Sequence, residues 1–256
     1  MGESSERIIF EKAGGIARLT LNRPEVRNCV DRRTLEELLE CLEECENDPA
    51  VRVVVLTGTG TAFSSGADLK YLRTQDAQGF ASFIRLYHTV CGRMESLSQP
   101  IIAAVNGTAL AGGLELMLAC DLVIAVEDAQ IGDHHANINA IPGGGSSQRL
   151  PRAIGARKAK ELIFTGNRLS AREAEAIGLV NRVAPAGRLD AVVMEIAEFL
   201  AWKDPWVLKT AKYLVNVGMQ GDLAAGLRME ERAITQRRFD AETRGNRDGD
   251  ATWTSS

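Results

Sequence analysis

Residues 99–125 read QPIIAAVNGTALAGGLELMLACDLVIA. Two apolar runs, 101–105 (IIAAV) and 121–126 (DLVIAV), bracket a segment that carries Gly107, Gly112 and Gly113. Each run is strand-length with little polar alternation, the pattern of a strand covered on both faces. Residues 113–119 between them read as a short helix. Strand, helix and strand, with a crossover long enough for parallel pairing, predict an α/β fold.

Working outward supports that class. Toward the N-terminus, 51–56 (VRVVVL) is another buried-type strand, and 16–21 alternates as a half-buried strand does. Asp31 is placed to cap a helix whose Leu35, Leu38, Leu39 and Leu42 share one face, and Asn47-Asp48-Pro49 ends it. From residue 146 onward the pattern is helical. SAREAEAIG opens on a Ser cap and closes at Gly178, and 187–200, 205–217 and 221–239 carry helix periodicity. The last residues, RGNRDGDATWTSS, are polar and expected to fray.

Composition bounds the function. The 256 residues are 45% hydrophobic and 25% charged, as in an ordinary globular protein, which excludes a collagen-like repeat or a disulfide knot. Thirty basic residues against thirty-four acidic ones give a net charge of −4, so no polyanion groove or nucleic-acid partner is expected. No apolar run approaches the roughly 20 residues of a membrane span. The opening MGESSERIIF lacks the apolar core of a secretory signal. With five cysteines, an odd number without a CxxC, it predicts reduced thiols and a cytoplasmic protein. Cys41 and Cys45 lie one helical turn apart without a third ligand, so they read as a helix face and no metal site is expected.

Two glycine-bearing segments, 62–69 (AFSSGADL) and 106–116 (NGTALAGGLEL), each follow a strand. Ligands of α/β proteins gather at the carboxyl ends of strands. Gly112 and Gly113 open the short helix, where unpaired N–H groups and the helix dipole favour a carbonyl oxygen turning anionic. The plain alternative is two tight turns with close helix–strand packing. Neither segment is a dinucleotide or P-loop fingerprint. Glu115 lies on the face of Gly112 within the apolar run LELMLAC, so it must be paired, protonated or at work. An ion pair with an arginine is the alternative to a catalytic role.

These segments resemble the enoyl-CoA hydratase/isomerase (crotonase) family. The resemblance runs nearly end to end, through LNRPEVRN, AFSSGADL, the stretch quoted first, IPGGGSSQRLPR and ARKAKELIFTGNRLSAREAEAIGLVNRV. It implies a ClpP/crotonase-like superhelix of ββα units, with two roughly perpendicular sheets and a C-terminal helical region that drives trimerisation. Residues 1–190 would form the spiral core with the thioester site, and 191–256 the helical region; trimers often pair into hexamers. The implied ligand is an acyl-CoA thioester, with coenzyme A entering as part of the substrate and no resident cofactor. Its thioester oxygen would sit between the backbone N–H groups of Ala67 and Gly112. Arg27 matches the basic position that serves the CoA phosphates, and Ala67, Asp68, Leu69 and Lys70 form the adjoining CoA loop. The family's Lys/Arg-rich tail is not matched in the residues running to Trp253-Thr-Ser-Ser.

The implied reaction adds water across a 2,3-double bond through a thioester enolate, using two glutamates. Glu115 matches the first, and the second position falls on His135. Either imidazole takes over acid–base work, or it fills the site and the chain is inactive as a hydratase. A simple double-bond isomerase is less favoured, because that shuttle uses the missing acid. Thioester hydrolysis, decarboxylation or β-diketone hydrolysis would keep the oxyanion site with changed acid–base groups. The β-diketone group uses histidine and aspartate in this region, but Gly143–Gly145 supply no aspartate and Asp133 sits beside the histidines. A catalytically weak binding subunit is the remaining alternative. Among the three histidines, His88 reads as structural, while adjacent His134 and His135 diverge on extended backbone. Asn137 and Asn139 suit a polar acyl group or simply turns.

Overall fold

The strands β1 (Ile8–Ala13) and β2 (Ile16–Leu21) form an antiparallel hairpin across Gly14-Gly15, with Ala13 opposite Ile16. Only β2 was legible in the sequence, because β1 is an edge strand with charges at Glu11 and Lys12. The structure is a computed structural model that describes residues 6–248, with side chains through 240. The unmatched C-terminal tail at Trp253 and the opening residues 1–5 lie outside the described residues.

β2 pairs in parallel with β3 (Val53–Gly58), and β5 (Ile101–Val105), β7 (Leu122–Val126) and β10 (Arg182–Ala184) extend the sheet in the order β1-β2-β3-β5-β7-β10. β3 begins at Val53 rather than Val51, whose N–H turns back to the Asp48 carbonyl. The buried residues of β3 alternate between two cores. Val54 and Leu56 face one, with Leu19, Leu35 and Leu38. Val53 and Val55 face the other, with Ile102, Ala104 and Ile124. Both faces are thus covered, as the continuous apolar pattern requires.

The first face is covered by α1 (Arg32–Asn47) and α3 (Ala77–Ser96). Asp31 caps α1 by accepting the Thr34 N–H at 2.9 Å, and Leu35, Leu38, Leu42 and Cys45 are buried while Leu39 packs at the margin. The second face is covered by α8 (Leu189–Ala201), through Val193 and Ala197. The first compact unit runs Met1–Pro205 and includes α8, which supplies the sheet with a wall it would otherwise lack. The second unit, Trp206–Ser256, carries α9 (Pro205–Gly218) and α10 (Leu223–Asp248), with Arg237 over the Trp206 ring at 4.5 Å.

The strands of the second sheet had no periodicity to read, because they are two or three residues long. β4 (Ala62–Ser64), β6 (Thr108–Leu110), β8 (Gln130–Gly132) and β9 (Leu169–Ser170) lie in that order, with only β8–β9 antiparallel. Each of β3, β5 and β7 leads into β4, β6 and β8 in turn, and β4 and β6 then run to α2 (Leu69–Arg73) and α4 (Gly112–Leu118). These are repeated ββα units. The same repeat makes β4, β6 and β8 parallel neighbours, so their carboxyl ends emerge side by side. Past residue 146 come α5 (Ser146–Ile154), α6 (Ala156–Thr165) and α7 (Ala171–Ala176), the last capped reciprocally by Ser170 and Glu173. No helix among the described residues is long and apolar enough to cross a membrane.

Candidate active site

Three segments leave the carboxyl ends of β4, β6 and β8: residues 65–68, 111–115 and 133–135. The first two meet backbone to backbone. A methyl built on Gly66 would lie 2.8 Å from the Gly112 nitrogen, and one on Gly112 would lie 3.1 Å from the Ala67 nitrogen. Gly66 holds φ at +99°, which L-residues rarely adopt. Among the described residues, neither the Ala67 nor the Gly112 N–H donates to a backbone carbonyl. Ala111 turns the chain into α4 at φ 49° and ψ −118°, a strained conformation for a residue with a Cβ. Behind it, the buried Tyr87 hydroxyl donates to the Gly112 carbonyl at 2.7 Å and steadies that peptide. Two backbone N–H groups without a backbone acceptor thus lie close together at the start of α4.

Glu115 stands in the first turn of α4 and is 2% exposed. Among the described residues it has no arginine partner at hydrogen-bond distance. Its Oε1 instead accepts the N–H groups of Gly144 at 2.7 Å and Ser146 at 3.0 Å. Burial pushes the carboxyl above its ordinary value, against the pull of the Ser146 N–H, the charge of His135 and the Gly144 N–H. Arg149 holds the glycine loop from behind. Its Nη1 donates to the Gly144 carbonyl at 2.8 Å while Nε and Nη2 grip Glu95 at 2.6 and 2.8 Å.

His135 brings Nε2 to 4.0 Å from Glu115 Oε2. Its other ring nitrogen, Nδ1, lies 3.0 Å from Oδ1 of the fully buried Asp133. Burial works against a charged imidazole here, but the hydrogen bond and charge of Asp133, with the charge of Glu115, outweigh it and raise the pKa above 6.5. His134 faces elsewhere. Held at φ 59°, it places Nδ1 near the Gly166 carbonyl and the Asn137 amide. The Asn137 amide also donates to the Gly166 carbonyl at 2.8 Å and so ties this loop. Asn139 ends the same 3-10 turn at φ 53° and is a turn residue.

The CoA candidates divide. Arg27, at φ 54°, accepts the Ser65 N–H on its carbonyl at 3.0 Å, which sets it against the Ala67 loop. Leu69 is 42% exposed and Lys70 is exposed. Asp68 lies in the same loop with its side chain engaged within the protein. Its carboxylate caps α2 through the Lys70 and Tyr71 N–H groups and pairs with Arg23 at 3.0 Å. Burial pushes the thiols of Cys29, Cys45 and Cys91 up to about 12 and that of Cys41 to about 11. No metal-holding cluster occurs among the described residues.

Ser146, Gly144, Arg149 and Tyr87 escaped sequence reasoning. Two of them act on the site through backbone N–H groups, which carry no residue-type signal. In the sequence Asp133 is only a neighbour of the histidines, and the left-handed turn at His134 that brings it to His135 has no signal in the residue types.

Relatives place the arrangement. The enoyl-CoA hydratase/isomerase family model matches residues 11–248. The Bacillus subtilis family member YngF is 43% identical over 239 residues, spanning 92% of this chain and 90% of its own. The short-chain-enoyl-CoA hydratase of Clostridium acetobutylicum is 39% identical over 228 residues, 89% of this chain and 87% of its own. The crystal structure of a Bacillus anthracis enoyl-CoA hydratase superposes with a TM-score of 0.87 at 42% identity, covering 90% of each chain. By that family match and these identities, the chain belongs to the enoyl-CoA hydratase/isomerase family.

Proposed function

We propose that the protein is an enoyl-CoA hydratase acting on a 2,3-unsaturated acyl-CoA, with Glu115 and His135 as its acid–base pair. The observation that carries this reading is the 4.0 Å gap between Glu115 Oε2 and His135 Nε2, at the helix that also offers the Gly112 N–H. A water oxygen about 2.8 Å from both atoms fits beside that gap.

The thioester oxygen lies on the Ala67 and Gly112 N–H groups. Glu115, as carboxylate, takes a proton from the water while the water oxygen bonds to C3. The π pair moves onto the thioester as an enolate, which the two N–H groups stabilise. His135, as imidazolium, delivers its Nε2 proton to C2. One water has then been added, and the proton on Glu115 returns to His135. The opposed needs are met by the site: burial helps Glu115 accept a proton, and Asp133 with Glu115 keeps one on His135.

Coenzyme A arrives within the substrate, and this chemistry requires no resident cofactor. Arg27 and Lys70 flank the Ala67 loop and supply positive charge for its phosphates, and Leu69 offers apolar surface beside them. Ala67 and Asp68 contribute backbone. The exposed apolar side chains of the second unit, among them Val215, Met219, Leu223 and Ile234, support assembly into a homotrimer or a hexamer of paired trimers. Five cysteine thiols fit a reducing, cytoplasmic setting.

The test is incubation with crotonyl-CoA, following the conjugated thioester absorbance and free thiol together. Loss of absorbance without thiol release is expected. Thiol release in step with it would identify a thioester hydrolase instead, and a bound but unchanged substrate would leave only a binding role.

A further inference from the structure

Asp133 is fully buried, and both its carboxylate oxygens are engaged. Oδ2 accepts the Ser146 hydroxyl at 2.5 Å. Oδ1 faces His135 Nδ1 at 3.0 Å and its backbone N–H at 3.4 Å. Ser146 also donates its own backbone N–H to Glu115 Oε1. The four residues therefore form a ring: Glu115, Ser146, Asp133, His135. Every link is a hydrogen bond except the last, the 4.0 Å gap from His135 Nε2 to Glu115 Oε2. The open link is the one where the water of the proposed reaction sits.

The chemistry of the donors decides how His135 is protonated. An ionised carboxylate only accepts, so the nitrogen facing Asp133 must carry a proton. The left-handed turn at His134 makes this contact possible, by bending the chain so that Asp133 and His135 meet. We propose that Asp133 is a positioning residue: it fixes the Nδ1 proton of His135, so that the exchangeable proton is always the one on Nε2, aimed at Glu115 and the reacting water. Ser146 is its anchor. The hydroxyl holds Asp133 from the side opposite the imidazole, while the N–H holds Glu115, so one residue at the start of α5 sets the spacing of both acid–base groups. The Ser146 hydroxyl is spent on Asp133 and stands across the ring from the open gap. The ring presents water as the reacting group, in the way a serine hydrolase presents its hydroxyl to a histidine oriented by a carboxylate.

The kinetic part of this inference rests on the hydratase reading; the protonation part does not. The experiment is 15N NMR of histidine-labelled protein, with the three rings (His88, His134, His135) assigned by His135→Gln. It is paired with crotonyl-CoA kinetics of Asp133→Asn and Asp133→Ala. Wild-type His135 is expected to show a protonated Nδ1. Asp133→Ala is expected to shift the ring to a mixture that includes the Nε2–H tautomer. Its kcat should drop about 10²-fold, with KM changed less than about threefold, as for loss of a correctly held acid–base group. Asp133→Asn keeps the shape and an acceptor oxygen, so it should retain the tautomer and recover part of kcat. Where the alanine variant does not fold, Ser146→Ala removes the hydroxyl that anchors Asp133, and a shift toward the mixed tautomer with lowered kcat is expected, an unaltered tautomer and kcat overturning the proposal. An unaltered tautomer in both variants, or kcat of Asp133→Ala within twofold of wild type while His135→Gln loses activity, would overturn the proposal. A wild-type protein with the expected tautomer but no hydration would overturn the hydratase reading and leave Asp133's role in place.

Discussion

Gly144 donates its backbone N–H to Glu115 Oε1 at 2.7 Å, and it leaves no room for anything larger. A Cβ at this position would stand 2.5 Å from Glu115 Oε2 and 2.7 Å from the Tyr87 ring. Gly144→Ala is therefore expected to push Glu115 off its hydrogen bonds. Overpacking of this kind costs about 1–3 kcal/mol of stability. The larger effect should be a loss of about tenfold or more in kcat, since a displaced base no longer meets the water. Thermal melts beside kinetics on crotonyl-CoA check both, and a variant with unchanged kcat would show that Glu115 is not tied to this loop.

The oxyanion cradle gives a second test, at a residue with no side chain. A Cβ on Gly112 would lie 2.8 Å from the Tyr87 hydroxyl and 3.1 Å from the Ala67 nitrogen. Gly112→Ala should fill the space where the proposed reaction places the thioester oxygen and disturb the donor beside it. A lost oxyanion donor costs about 10²–10³ in kcat. Calorimetry with a saturated acyl-CoA should show CoA binding weakened far less than turnover. Equal losses in both would mean that the cradle binds ground state and transition state alike.

Glu115→Gln separates function from stability. The amide keeps an acceptor for the Gly144 and Ser146 N–H groups, so the fold should survive. Activity should fall about 10²-fold or more, because the amide takes no proton from water. Stability should move the other way. The folded carboxyl titrates above the ordinary 4.5, so its contribution is present below the unfolded pKa and lost as pH rises through the folded one. At neutral pH the buried charge is a cost that glutamine removes. The variant should melt higher than wild type at pH 7 and gain nothing in acid. A lower melting temperature at neutral pH would mean that the carboxylate is a structural group.

Legibility followed periodicity. The strands β2, β3, β5 and β7 announced themselves because alternating or continuous apolar runs of five or six residues bury against two cores. Strands β4, β6 and β8 had three residues each and no period to read, yet they align the site. Glu115 was visible as a charge inside an apolar helix turn. His135 emerged by its position in the family pattern, and the buried pair it makes with Asp133 came only from the fold, through the turn at His134. The α8 helix was read as a helix, but its assignment to the first unit depends on which sheet face lacked cover.

The last expectation concerns pH. Turnover as proposed needs Glu115 ionised and His135 protonated at once, so kcat should rise on an acid limb and fall on an alkaline one. Burial sets the acid limb above 4.5, and the alkaline limb lies above 6.5, because Asp133 and Glu115 hold the imidazolium against its burial. The two groups share one buried site, so the limbs belong to the pair. Stability should follow the same imidazole. A raised histidine pKa contributes stability that is present in full below the unfolded value and is lost as pH rises through the folded one. The melting temperature should therefore decline on the alkaline side, and His135→Gln should flatten that decline while removing the alkaline limb of kcat. A variant that keeps the wild-type alkaline limb would assign that limb to another group and leave His135 as packing.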